Sequence, residues 1–170
     1  MKKIAVFPGS FDPFTIGHED IVRRALGLFD EIIIAVGANV LKKNFYTLET
    51  RKEIISKVFQ NEPRVIVDHY DGLTVDYCKK NGAAYLLRGL RTAADFEFER
   101  AIGQVNKSME PDIESVFLLT APEHSFINSG IVRDIIKNGG DASKFVPAAI
   151  DLKDYKGIEE QEIIPLKLKS

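Results

Sequence analysis

Cysteine is almost missing from this sequence, with Cys78 standing alone among 170 residues. No disulfide can close within such a chain and no multi-thiolate metal site can be built, which fits a reducing, cytoplasmic setting. Net charge is nearly absent as well, because 23 basic residues against 25 acidic ones leave −2 at neutral pH. A balance of that kind supplies no broad basic surface for nucleic acid and favours a small, locally recognised ligand. Long hydrophobic runs are lacking too. No apolar stretch approaches membrane-spanning length, and the run Ile4-Ala5-Val6-Phe7 is cut by Pro8-Gly9 before a signal-peptide core could be completed. Two familiar phosphate-binding signatures are also missing, the Gly-Lys-Ser/Thr ending of a P-loop and the Gly-x-Gly-x-x-Gly of a dinucleotide fold. There is no internal repeat and no low-complexity stretch.

What is present is a 45% hydrophobic chain long enough to bury the core of one domain. Short, β-branched apolar runs recur at 4–7, 32–36, 65–67, 85–87 and 116–119 and read as buried strands. Between them lie segments with helical spacing, among them Ile21, Val22, Ala25 and Leu26, then Ile54, Ile55 and Val58, then Phe98, Ile102 and Val105. Strands apolar on both faces, joined by helix-length crossovers, predict a single doubly wound α/β domain. It would have a five-stranded parallel, Rossmann-like sheet with helices on both faces. We expect this domain over 1–152 and a peripheral or partly mobile tail over 153–170, where the pattern fades.

Ligands of such sheets bind beyond the C-terminal strand ends. Three segments there carry phosphate-binding chemistry. The turn Pro8-Gly9-Ser10-Phe11-Asp12-Pro13-Phe14-Thr15-Ile16-Gly17-His18 packs two glycines, two prolines, two hydroxyls and a histidine between strand and helix. Gly9 lets backbone approach a ligand, Ser10 offers hydroxyl and N–H, and His18 falls at a helix start whose free N–H groups favour an anion. The alternative is a structural turn with a capping histidine. Arg88-Gly89-Leu90-Arg91 places two guanidinium groups where they can address two phosphates, although surface arginines alone usually signify nothing. His124-Ser125-Phe126-Ile127-Asn128-Ser129-Gly130 opens a helix, with Asn128 a suitable N-cap. The pair Lys42-Lys43 is either a hydrated face or a mobile charge at the site. Cys78 reads as a small core residue rather than a nucleophile, His69 receives no role, and Asp95 and Glu97 read as solvated helix surface.

Thr15-Ile16-Gly17-His18 resembles the (His/Thr)-x-Gly-His motif of a nucleotidyltransferase superfamily. The longer Pro8-Gly9-Ser10-Phe11-Asp12-Pro13, with Arg88-Gly89-Leu90-Arg91 and the Asp-Phe-Glu-Phe-Glu run over 95–99, is similar to its phosphopantetheine adenylyltransferase family. That resemblance spans 3–146 and implies adenylyl transfer from ATP to 4′-phosphopantetheine by direct in-line attack, with magnesium held largely by the phosphates. His18, Lys42 and Arg91 would be catalytic. Ser10, Lys42, Thr74 and Arg88 would bind the acceptor, with Thr74 in a turn, Gly72-Leu73-Thr74, that contacts pantetheine. Ser10, Phe11, His18, Gly89, Leu90, Arg91, Glu99 and the segment His124, Ser125, Phe126, Ile127, Asn128, Ser129 and Gly130 would bind ATP. No protein metal ligand is implied. A homohexamer and feedback inhibition by coenzyme A belong to the same implication, without nucleic acid or membrane as partner. The chain departs from the family where successive hydroxyl residues usually follow Ile127, and Thr74 stands at a commonly apolar position. Transfer to another acceptor, use of CTP, or a nucleotide sensor without catalysis are the alternatives.

Overall fold

A computed structural model describes residues 2–38 and 43–158. The chain alternates strand and helix: β1 Ile4–Gly9, α1 Ile16–Ala25, β2 Glu31–Gly37, α2 Leu48–Val58, β3 Val65–Tyr70, α3 Thr74–Lys80, β4 Tyr85–Leu90, α4 Ala93–Met109, β5 Glu114–Leu119 and α5 Ser129–Lys137. The five strands are all parallel and lie in the order β3-β2-β1-β4-β5. This is the expected doubly wound sheet. Its strand order reverses between β1 and β4, where the loops leaving the two strands part in opposite directions and open a crevice.

Alternation along each strand divides the interior into two layers. Ala5 and Phe7 of β1 join Ile32, Ile34 and Val36 of β2 in a core closed by Ile21, Val22 and Ala25 of α1, Ile54, Ile55 and Val58 of α2, and Val132 of α5. Val6, Ile33 and Ala35 point to the other face, against Val75, Tyr77 and Cys78 of α3. Cys78 is fully buried there, and burial pushes its thiol up to about 12, so it stays protonated and inert at neutral pH.

Two strand boundaries extend beyond the apolar periodicity. β1 runs on through Pro8 and Gly9, and β4 through Arg88, Gly89 and Leu90, which the sequence suggests are loop. The ladder explains this, because Arg88, Gly89 and Leu90 pair with Phe117, Leu118 and Leu119. The apolar pattern stops earlier because Pro8, Gly9, Arg88 and Gly89 line cavities instead of core.

The helix around the Asn128 cap begins later than its motif. Pro122–His124 forms one 3-10 turn, and α5 starts at Ser129 with the Asn128 side chain accepting the Ile131 N–H at 2.9 Å. The first residues of the expected tail are docked on the domain. Tyr155 packs against the larger core, and the Ile158 N–H donates to the Phe45 carbonyl at 2.8 Å. Residues 159–170 of that tail lie outside the described residues.

Candidate active site

Two cavities open at the C-terminal strand ends, one of about 320 Å³ and the other of about 370 Å³. They share Pro8, Gly9, Ser10, Arg88 and Glu99, so a single wall built from β1, β4 and α4 serves both.

The first cavity is shaped by the turn after β1. Phe11 takes a left-handed φ of 47°, a conformation disfavoured for a side chain with a Cβ, and its buried ring packs on Phe7, Phe14 and His18. Gly9 is required by that packing, because a Cβ there would fall 2.7 Å from the Phe11 ring. Gly17 is different. A Cβ on Gly17 would meet nothing closer than 3.6 Å, the Cβ of His124, so the fold tolerates a side chain at this point of the cavity wall.

His18 is the third residue of α1, and its Nδ1 accepts the N–H of the helix-capping Thr15 at 3.0 Å. An Nδ1 that accepts from a backbone amide carries no proton, so the neutral ring is protonated on Nε2. Burial, with Arg91 and Arg88 nearby, lowers the His18 pKa to about 4. At neutral pH the ring is therefore an uncharged donor, held at a helix N-terminus on the cavity wall.

Three arginines face this cavity, each oriented by a carboxylate-bearing residue. Arg88 forms a two-pronged pair with the buried Glu99, its Nε donating at 2.8 Å, while its Nη1 donates to the Pro8 carbonyl at 2.7 Å. Arg91 donates through Nε to Asp95 at 3.1 Å, and Asp95 also accepts the Arg91 and Thr92 N–H groups at the start of α4. Asp95 thus orients Arg91 from the cavity wall and is more than the solvated surface residue its sequence context suggests. Arg133 of α5 donates to the Asp12 carbonyl at 2.5 Å and stands 4.0 Å from its carboxylate. Both Asp12 carboxylate oxygens are occupied by the Phe45 and Tyr46 N–H groups at 2.7 and 2.8 Å. The carboxylates on this wall are thus engaged by cations or amides. Among the described residues no group of three or more acidic, histidine or cysteine side chains is arranged to hold a metal.

Of the nucleotide-side candidates, Ser10, Phe11, His18, Gly89, Arg91, Glu99, Ile127, Asn128 and Ser129 line the first cavity. Leu90 is buried, and His124 lies beside Gly17. The Ser125 hydroxyl turns back to the Pro122 carbonyl at 2.8 Å, and Phe126 is exposed. Gly130 lies in the first turn of α5 close to Asn128. The Ser129 hydroxyl donates to the Pro13 carbonyl at 2.8 Å, tying α5 to the turn after β1. Lys42 lies outside the described residues, and Lys43 is exposed.

The second cavity contains Thr74, whose hydroxyl donates to the Tyr70 hydroxyl at 3.1 Å. Asn44, Tyr70, Ile102 and Asn106 also line it, from separate parts of the chain and without a local motif to announce them. Arg133 is also absent from the candidates, although it had a sequence signal: it falls four residues after Ser129, on the same helix face.

Comparison with known proteins accords with this arrangement. The family profile of cytidylyltransferase-like proteins matches residues 6–135. The phosphopantetheine adenylyltransferase of Flavobacterium psychrophilum is 57% identical over 153 residues, covering 90% of this chain and all of that one. The chain belongs to the phosphopantetheine adenylyltransferase family. The enzyme of the same name from Cytophaga hutchinsonii is 48% identical over 88% of this chain and its own full length. Among solved structures, a bifunctional NMN adenylyltransferase/ADP ribose pyrophosphatase from Francisella tularensis superposes with a TM-score of 0.68 at 20% identity. That match covers 90% of this chain and 47% of the longer one, and it attests the fold.

Proposed function

We propose that this chain transfers the adenylyl group of ATP to 4′-phosphopantetheine, forming dephospho-coenzyme A and pyrophosphate. One observation carries the proposal beside family membership: two cavities, one rich in phosphate-binding groups and one not, meet at Ser10 and Arg88. Two substrates seated in them would bring their reacting phosphates together at the shared wall.

The acceptor phosphate attacks the α-phosphorus in line. A new oxygen–phosphorus bond forms as the bond to pyrophosphate breaks, and the electron pair leaves with pyrophosphate. The attacking oxygen is already ionised near neutral pH, so a general base adds little, and catalysis consists of positioning and charge stabilisation. The Nε2–H of His18 is the donor to the α-phosphoryl oxygens. Its neutrality suits it to bind developing charge without surrendering a proton. Lys42 contacts the reacting phosphates, Ser10 aligns the acceptor, and Arg88 holds the acceptor's phosphate. Arg91, with Arg133 and the N–H groups at the start of α5, steadies the leaving pyrophosphate. Glu99 borders the nucleotide while fixing Arg88. Phe11, Gly89, Leu90 and the 124–130 segment enclose ATP, and Thr74 with Tyr70 borders the pantetheine arm.

Magnesium would be supplied with ATP and would offset the charge of its phosphates. Asp12, Asp95 and Glu99 are the carboxylates of the first cavity, and each is already committed to an amide or an arginine. The phosphates would serve as the ion's main ligands.

A homohexamer working in the cytoplasm belongs to the same proposal. The apolar stripe Phe98, Ile102, Val105 and Met109 on α4, exposed in the single chain, supports assembly between copies. Among the described residues no helix is long and apolar enough to cross a membrane. Coenzyme A carries both a pantetheine arm and an adenylate, so feedback inhibition would act by competition at both cavities.

Pyrophosphate release, assayed with ATP or CTP against a panel of phosphorylated acceptors, tests the reading. Release confined to ATP with 4′-phosphopantetheine is expected. Release with another nucleotide or acceptor reassigns the substrate, and binding without release makes the chain a sensor. Light scattering of the intact protein checks the assembly.

A further inference from the structure

The three arginines of the first cavity are each oriented by a residue bearing a carboxylate. Arg51 is not. It is the fourth residue of α2, only 2% exposed, and among the described residues no carboxylate forms an ion pair with its guanidinium. Its Nη1 donates to two main-chain carbonyls, Ser10 at 2.7 Å and Gly37 at 3.3 Å. Its Nε is buried without a hydrogen-bond partner. Burial disfavours the charged form and lowers its pKa, while the more distant Asp12 and Glu49 oppose that effect. A guanidinium keeps its proton even so, which leaves a buried cation whose charge no contacting group balances.

Such a residue is costly to retain unless its position is useful. Ser10 follows Gly9, the last β1 residue paired with β2, and Gly37 is the last residue of β2, past its pairing with β1 though still paired with Tyr70 of β3, so Arg51 bonds both carbonyls where the β1–β2 ladder stops. Ser10 borders both cavities, and Gly37 borders the second. One side chain therefore holds the ends of two adjacent strands in register beneath the point where the cavities meet. Holding the Ser10 carbonyl restrains the Ser10–Phe11 peptide plane and, through it, the Cα from which the Ser10 side chain projects.

We infer that Arg51 is a positioning residue for adenylyl transfer: it locks Ser10 in the orientation that aligns the acceptor phosphate, and its unbalanced positive charge favours the anionic substrates gathering above it. The inference rests on the reaction proposed above. It goes beyond a packing role, because a purely structural arginine would affect melting but not turnover.

The test uses the intact protein with Arg51→Met and Arg51→Lys. In folded Arg51→Met, kcat with ATP and 4′-phosphopantetheine should fall by about 30- to 100-fold, the scale of a misplaced reacting group, with the KM for ATP changing by less than about threefold. Arg51→Lys keeps the charge and one donor and should recover a substantial part of the lost turnover. A folded Arg51→Met with a lowered melting midpoint but wild-type kcat and KM overturns the inference, as does Arg51→Lys that is no better than Arg51→Met. Should both variants fail to fold, the wild-type protein decides. The Arg51 Nε–H nitrogen resonance should shift when α,β-methylene-ATP and 4′-phosphopantetheine saturate the site, and an unmoved resonance overturns the inference. Wild-type protein releasing no pyrophosphate with the natural pair sinks the functional reading instead, and the response of that resonance to ATP alone then judges Arg51.

Discussion

The two cavities are similar in size and share a wall, yet their linings differ in kind. The first is bounded by Arg88, Arg91 and Arg133, by His18, and by the N-terminal turns of α1 and α5. The second draws on the neutral side chains Asn44, Tyr70, Thr74, Ile102 and Asn106. Only Arg88, Glu99 and the Pro8-Gly9-Ser10 stretch belong to both. The difference teaches that charge recognition and shape recognition are divided between compartments, and that reaction belongs where they touch. Polyphosphate is read by cations and helix ends, whereas a neutral arm is read by surfaces that exclude water and offer a few hydroxyls and amides.

The largest effect should come from the charge-reading side. His18→Ala is expected to lower turnover by at least ~100-fold while leaving ATP affinity less changed, the scale for losing one transition-state donor. Steady-state kinetics with varied ATP checks this, and near-normal turnover would remove His18 from the mechanism. Next comes the shared wall. Arg88→Ala should raise the KM for the acceptor by at least ~10-fold, a larger rise than in the KM for ATP, since a charge-assisted contact to the acceptor's phosphate is lost. The same variant leaves Glu99 buried without its partner and should lower the melting midpoint. Equal losses for both substrates would mean that the cavities are not divided as described.

Arg91→Ala should act on one side only, weakening ATP by about 10-fold with little change for the acceptor, as expected for one charged contact. Isothermal titration with each ligand separately measures the contrast. Gly17→Ala should be milder: its Cβ meets no protein atom closer than 3.6 Å, so melting should be unchanged while ATP binding weakens by a few-fold. A variant that melts early with normal ATP binding would reverse that assignment.

The smallest expected effect is an absence of change. In the free protein the His18 ring, with its pKa lowered to about 4, should show no titration between pH 5 and 8 in its NMR carbon and nitrogen shifts. The unfolded chain takes up the His18 proton below its ordinary value of 6.5, and the folded chain only near 4. This group's contribution to stability is therefore complete above 6.5 and is lost as the pH falls toward 4. A midpoint near 6.5 in the folded protein would show that the ring is not held neutral by burial and its cationic neighbours.

Much of this was legible in the chain. Apolar runs at regular intervals gave the strands, and crossovers of helix length gave their parallel direction. Thr15-Ile16-Gly17-His18 was readable because capping, glycine and imidazole chemistry are local. Asn128 was readable as a cap for the same reason. Asp12 was not, since its carboxylate serves the N–H groups of Phe45 and Tyr46 more than 30 positions away. Arg51 carries no local signal, and on an amphipathic helix it passes for a surface residue. Arg88 looked like a loop residue because its side chain leaves the core periodicity while its backbone stays in the ladder.

The sequence by itself determined the elements, the family and the phosphate-binding turn, because periodicity, capping and short motifs are written in neighbouring residues. The tertiary structure alone decided that two cavities lined by the described residues share a wall, that Ser10 and Arg88 stand between them, and that His18 is neutral. Those properties arise when residues far apart in the chain share a small volume, where burial and nearby charges set protonation and the order of strands sets which loops meet.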